Sequence, residues 1–228
     1  MSSGRLITIE GIDGAGKGTQ VALLVTRLEL EGHAIALFDF PQYKKPPAWY
    51  VEQYLNGKYG SLETIGPHLG SFFFMLDRHA AAVNIRDALH CGKMVVCNRY
   101  VGSNLAHQGG KIADSGKRHA FFKWNDIVEY QTHGIPVPDI NPVLFIPPEA
   151  SRTLVLQKAR RAHLEGKDLD LHEADINHLR QTYTVYRELV DMFPDKYVPV
   201  ECFEDGRHLS PQEIHEKIWA IVAPVVGY

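Results

Sequence analysis

Gly11-x-x-x-x-Gly16-Lys17 is the spacing on which a backbone can turn its N–H groups inward around a phosphate, with a lysine following. Lys17 brings a mobile positive charge to the outer phosphates of a nucleotide. The strict pattern asks for a hydroxyl directly after the lysine. Here that place is Gly18, and the hydroxyl follows at Thr19, which makes Thr19 the candidate for a metal that accompanies the phosphates. A Gly-Lys pair in an ordinary tight turn would look similar, so flanking elements must decide.

Those elements have the required types. Leu6 to Glu10 is a short apolar run of strand length. After the loop, Val21, Leu24, Val25 and Leu28 recur at the spacing of one helical face, and Gly32 sits where a helix ends. Ala34 to Phe38 reads as a second strand, Met94 to Cys97 as a third, Pro142 to Ile146 as a fourth and Tyr197 to Cys202 as a fifth. Between them the pattern predicts helices over about 65–90 and 113–133, one opening at Pro147-Pro148-Glu149, and a last one over about 211–222. This alternation predicts an α/β fold with a parallel sheet covered on both faces. With 228 residues, no internal repeat and no long linker, the chain is read as one domain spanning 1–228.

Composition narrows the function classes. There are 24 Lys and Arg against 27 Asp and Glu, a formal charge of -3, which disfavours a general nucleic-acid coat but permits one basic pocket. Cys91, Cys97 and Cys202 form no CxxC pair or even framework, and no apolar run reaches the roughly 18 residues of a membrane span. With no leader-like start, the expectation is a soluble, cytoplasmic protein without membrane partners. The 12 histidines show no HExxH or zinc spacing, and no Gly-x-Ser-x-Gly elbow occurs.

The loop, read as Glu10 through Lys17 and on to Gln20, resembles that of the thymidylate kinases among the nucleoside monophosphate kinases. Further blocks are similar to that family in order along the chain: Phe40-Pro41-Gln42-Tyr43, Phe74-Met75-Leu76-Asp77-Arg78, Asn98-Arg99-Tyr100, Ser103-Asn104-Leu105-Ala106-His107-Gln108, and Pro138-Asp139 through Glu149. The resemblance implies a three-layer P-loop NTPase fold with a five-stranded parallel sheet and a short lid at about 156–173. It also implies an ATP- and Mg²⁺-dependent enzyme that phosphorylates dTMP to dTDP, and a homodimer packed through helices, for which the segment 72–82 is a candidate.

Family roles carry over residue by residue. Gly11, Asp13, Gly14, Ala15, Gly16, Lys17, Gly18 and Thr19 would bind ATP, with Asp13 and Thr19 toward the metal. Lys17 would hold the donor phosphates and Arg99 the acceptor phosphate, for which a planar guanidinium fork suits better than an ammonium. Phe74 would stack on the base while Arg78 and Asn104 read its carbonyl and N–H edge. Phe40, Pro41, Tyr43, Ser103, His107 and Gln108 complete the acceptor site, and Asp13 borders it. Phe74 reads equally as a core residue and Asp13 as a turn residue. Arg160 and Arg161 are the lid candidates, since Gly14 matches the members without a loop arginine. As a charge run, they also read as a solvated helix face.

Four departures stand out: Asn98 for aspartate, His107 for tyrosine, Gln42 for arginine, and Leu171 for the lid arginine. They leave room for a different pyrimidine monophosphate, such as dUMP, or for a P-loop protein that binds nucleotide without catalysis. Lys17, Arg78 and Arg99 argue for catalysis.

Overall fold

A strand whose side chains are apolar on both faces has to sit inside a sheet that is covered twice. In the computed structural model, β1 (Arg5–Gly11) does so, with Leu6, Ile7 and Ile9 wholly buried. The structure describes residues 4–60, 64–164 and 175–228. Along the chain β1 is followed by α1 (Lys17–Leu30), β2 (Ile35–Asp39), α2 (Trp49–Leu55), α3 (Pro67–His90), β3 (Met94–Asn98) and α4 (Val101–Gly109). Then come α5 (Ser115–Asp126), β4 (Asn141–Phe145), α6 (Pro148–Leu164), α7 (Ile176–Met192), β5 (Tyr197–Glu201), the hairpin β6 (Phe203–Glu204) and β7 (Arg207–His208), and α8 (Pro211–Val226).

The large sheet has five strands in the order β2-β3-β1-β4-β5, all parallel. Parallel neighbours need crossover helices, and these form the outer layers. Helices α1 and α8 pack on each other and on β1, while α3, α4 and α7 adjoin one another and meet β3, β1 and β5. The result is the three-layer α/β arrangement expected from the alternation. Every strand of the large sheet lies within a residue or two of its expected position.

The helices differ from expectation in four respects, the first being the short helix α2, where no element was expected. The single helix expected over 113–133 is α5 followed by a π-helical stretch, Ile127–Thr132, whose wider turn carries Glu129 into the interior. Helix α4 was not expected: it is nine residues long, and nearly every residue in it is buried, polar Ser103, Asn104 and Gln108 included. Helix α7 did carry a signal: Leu179, Thr182, Val185, Tyr186 and Leu189 face inward, and the Asp175 side chain caps its first turn.

Candidate active site

Three chain segments converge beyond the carboxyl ends of β1 and β3, where open α/β sheets collect ligands. The first is the loop between β1 and α1. Gly16 has φ +86° and gives α1 no side-chain cap, and no acidic residue occupies the first turn. The first N–H groups of α1 therefore carry an uncancelled positive field, as an anion site requires. Space is open above Gly16 and Gly18, where an added Cβ would meet nothing within 4 Å. Gly14, at φ +77°, is the opposite case: a Cβ there would lie 2.7 Å from the carbonyl oxygen of Ser151. Ser151, on the first turn of α6, also donates its hydroxyl to the Asp13 carbonyl, so α6 grips this loop from outside.

Lys17 is buried, and its Nζ donates to the carbonyls of Gly11 at 3.0 Å and Ile12 at 2.8 Å. Thr19 lies exposed on the same first turn. The second segment is the end of β3. Arg99 holds φ +66°, a left-handed conformation that costs a non-glycine residue about 1 kcal/mol or more and that concentrates at functional sites. Its Nη2 donates to the Asp13 carboxylate, and its Nη1 reaches Ser103 Oγ at 3.1 Å and the Gly11 carbonyl at 3.4 Å. Lys17 and Arg99 thus reach the same carbonyl oxygen. Burial raises the pKa of the Asp13 carboxyl, but the Arg99 guanidinium, with Lys17 close by, outweighs this and holds it well below the ordinary carboxylate range.

Glu10 supports Arg99 from behind. Its wholly buried carboxylate accepts from the Tyr100 backbone N–H at 2.8 Å, from Ser103 Oγ at 2.6 Å and from the Tyr186 hydroxyl at 2.9 Å. Sequence reasoning passed over Glu10 and Tyr186 because they lie 176 residues apart. Asn98 supplies no charge here, and its Oδ1 is buried without a protein partner among the described residues.

The third segment is α4, which presents His107 beside Arg99 and Asn104 deeper in. Both polar atoms of the Asn104 amide are buried and without a partner among the described residues. Phe74 is half-buried and meets the Tyr54 ring edge-on at 6.0 Å, and Gln108 Oε1 accepts from the Tyr54 hydroxyl at 3.5 Å. Phe40, preceding a cis bond to Pro41, is a core ring packed on Tyr100, whereas Tyr43 is half exposed. Gln42 is locked onto Asp77, to which it donates from its backbone N–H at 2.9 Å and from Nε2 at 3.1 Å. Arg160 and Arg161 fall on α6, but their side chains, like Leu171 and the rest of the expected lid to 173, lie outside the described residues.

Arg78 differs most from its expected setting. It is 2% exposed, and its Nε and Nη2 both donate to Glu129, itself wholly buried on the π-helical stretch. Only Nη1 is left outside that pair. Removing one partner of a buried pair leaves an uncompensated charge, so Glu129→Ala is expected to cost about 3–5 kcal/mol in urea unfolding. A loss under about 1 kcal/mol would mean that Arg78 is stabilised by other groups.

Residues 9–204 match the family model described as thymidylate kinase. The chain belongs to the thymidylate kinase family. It is 31% identical over 187 residues to the thymidylate kinase of Mycobacterium tuberculosis H37Rv, covering 81% of this chain and 85% of that one. Over 224 residues it is 32% identical to the enzyme of Clavibacter michiganensis, with 97% of each chain covered. Among solved structures, the thymidylate kinase of Candida albicans superposes with a TM-score of 0.66 at 19% identity, covering 99% of this chain and 94% of that one. That last likeness concerns the fold. His107, the departure from the family's tyrosine noted in the sequence, lies beside Arg99. Burial, reinforced by Arg99, pushes the His107 pKa well below the ordinary histidine value.

A histidine kept neutral by folding is a pH liability of definite sign. The unfolded chain takes up a proton near pH 6.5 that the folded chain refuses, so stability is full above that pH and falls as pH drops below it. The slope from one such group is about 1.4 kcal/mol per pH unit within the window. His133 and His215 are shifted the same way, chiefly by burial. His107→Gln is therefore expected to reduce, without abolishing, the loss of unfolding free energy between pH 7 and 5. Equal losses in variant and wild type would contradict a neutral His107.

Proposed function

We propose that the chain transfers the γ-phosphoryl group of ATP to dTMP, giving dTDP and ADP. The observation that carries this reading is the meeting of Lys17 and Arg99 at one carbonyl oxygen, that of Gly11. Phosphoryl transfer needs little covalent chemistry from a protein; it needs two phosphates held in line and cations on their oxygens. Lys17 and the α1 N-terminus suit the donor phosphates, and Arg99, backed by Asp13 and Ser103, suits the acceptor phosphate. The idle donor and acceptor of Asn104 match a base that offers N3–H beside a carbonyl, with Phe74 as the stacking face. Arg160 and Arg161 would add positive charge over the transferred group.

Mg²⁺ fits this donor set as an ion carried in with the nucleotide. Among the described residues no group of three or more His, Cys, Asp or Glu is arranged to hold a metal. Thr19 and the Asp13 carboxylate would meet an ion otherwise held by phosphate oxygens and water. When bound, it would neutralise charge on the β- and γ-oxygens. No helix among the described residues is long and apolar enough to cross a membrane. Three free cysteines, with the Cys202 thiol pushed up to about 12 by burial, are consistent with work in the cytoplasm. The acidic balance favours free nucleotides over nucleic acid as partners.

A coupled ADP-release assay with MgATP against dTMP, dUMP, dCMP, UMP, CMP, AMP and GMP tests the acceptor. Preference for dTMP is the expected result. Preference for another pyrimidine monophosphate would move the assignment to that acceptor, and Gln42 and His107 would be the residues to examine.

The dimer is proposed through α3. Leu69, Phe72, Leu76 and Val83, spaced by three, four and seven residues, remain 38–56% exposed on one face of that helix, while Ala81 and Ala82 turn into the core. An apolar stripe at this spacing calls for a partner helix. Leu76→Glu is expected to convert a dimer of the wild-type chain to monomer in light scattering at micromolar concentration. A wild-type monomer, or a variant that stays dimeric, would remove α3 from the interface.

A further inference from the structure

We propose that His178, on the first turn of α7, is a positioning residue for Arg99 that acts through His107. The inference rests on reading Arg99 as the ligand of the acceptor phosphate. His107 stands between the two: its Nε2 lies 3.3 Å from Arg99 Nη1, and its Nδ1 lies 3.0 Å from His178 Nε2. The two imidazole rings are 5.2 Å apart and tilted by 35°.

The chemistry of the three groups leaves one arrangement of protons. A guanidinium only donates, so His107 Nε2 must be a bare acceptor. The His107 proton is then on Nδ1, where it is donated to His178 Nε2. That nitrogen must in turn be bare, which places the His178 proton on Nδ1 and makes both rings neutral. The reverse arrangement would point a His107 N–H at an Arg99 N–H. With Nη1 committed to Ser103, the Gly11 carbonyl and His107, and Nη2 shared with Asp13, the remaining fork hydrogens are those of Nε and Nη2. These form one edge of the guanidinium, suited to a two-point grip on a phosphate. Without His178 to accept from Nδ1, His107 is free to adopt the other tautomer, and Arg99 Nη1 loses one of its three acceptors and meets an N–H in its place. His178 touches no reacting atom in this scheme. It sets which face of His107 meets Arg99, across 71 residues of chain.

Two measurements test this. His178→Phe keeps a ring but removes the acceptor, and His178→Gln returns an acceptor at the reach of Nε2. The phenylalanine variant is expected to raise the KM for dTMP about tenfold with the KM for ATP unchanged within about twofold, and the glutamine variant to recover most of the difference. Wild-type behaviour of His178→Phe, equal damage in both variants, or equal effects on ATP and dTMP would overturn the proposal. Long-range ¹H–¹⁵N correlation on the wild-type protein reads the tautomer without any variant having to fold. A His107 proton on Nδ1 is expected, and one on Nε2 would overturn the relay. If wild-type protein fails to turn over dTMP, the functional reading fails, while the tautomer measurement still decides the relay.

Discussion

Lys17→Ala is expected to lower kcat for dTMP phosphorylation by about a thousandfold or more, equivalent to roughly 4 kcal/mol of transition-state stabilisation. The lysine is the buried cation of the loop, and in the folded chain its Nζ donates to two carbonyls of that same loop. Both contacts lie within the loop itself, so no contact between distant elements is lost with them. Folding should therefore suffer little, with a thermal midpoint within a few degrees of the parent. The coupled assay and a melting curve check both parts. A kcat within tenfold of wild type would show that the donor phosphates are held elsewhere.

Arg99→Ala should be nearly as damaging, but on the other substrate. Loss of the fork is expected to reduce kcat/KM for dTMP by about a thousandfold while ATP affinity, measured by calorimetry, stays within about threefold. Arg99→Lys should rescue only a minor part, because an ammonium keeps the charge and loses the planar pair of donors. Alanine at this position also leaves Asp13 without its principal counter-charge, so the Asp13 carboxyl is expected to titrate closer to the ordinary range. If ATP and dTMP were affected equally, Arg99 would be a brace of the loop rather than a ligand of the acceptor.

What the sequence made legible was the part that is local in the chain. The run Leu6 to Glu10, the glycines of the loop and the stripe Val21 to Leu28 lie within 23 residues and announce strand, turn and helix by spacing alone. Arg99 was placed correctly at the end of a strand because Met94 to Cys97 is an uninterrupted apolar run. The partners that orient the site were not legible, because folding joins them across the chain. Glu129 meets Arg78 only because a π-helical turn swings it inward. Tyr186 and His178 reach Ser103 and His107 from α7, which packs along α4. In the nine residues of α4 the buried positions include polar Ser103, Asn104 and Gln108, so residue type alone does not mark its inward face.

The most direct test of the two-cation arrangement is a single turnover of ATP labelled at the γ-phosphorus, with protein in excess and dTMP present. Label is expected to appear in dTDP at the same rate as ADP forms, with ADP formation negligible when dTMP is omitted. Label released as inorganic phosphate, or ADP formed equally well without dTMP, would contradict direct transfer between a phosphate held by Lys17 and one held by Arg99.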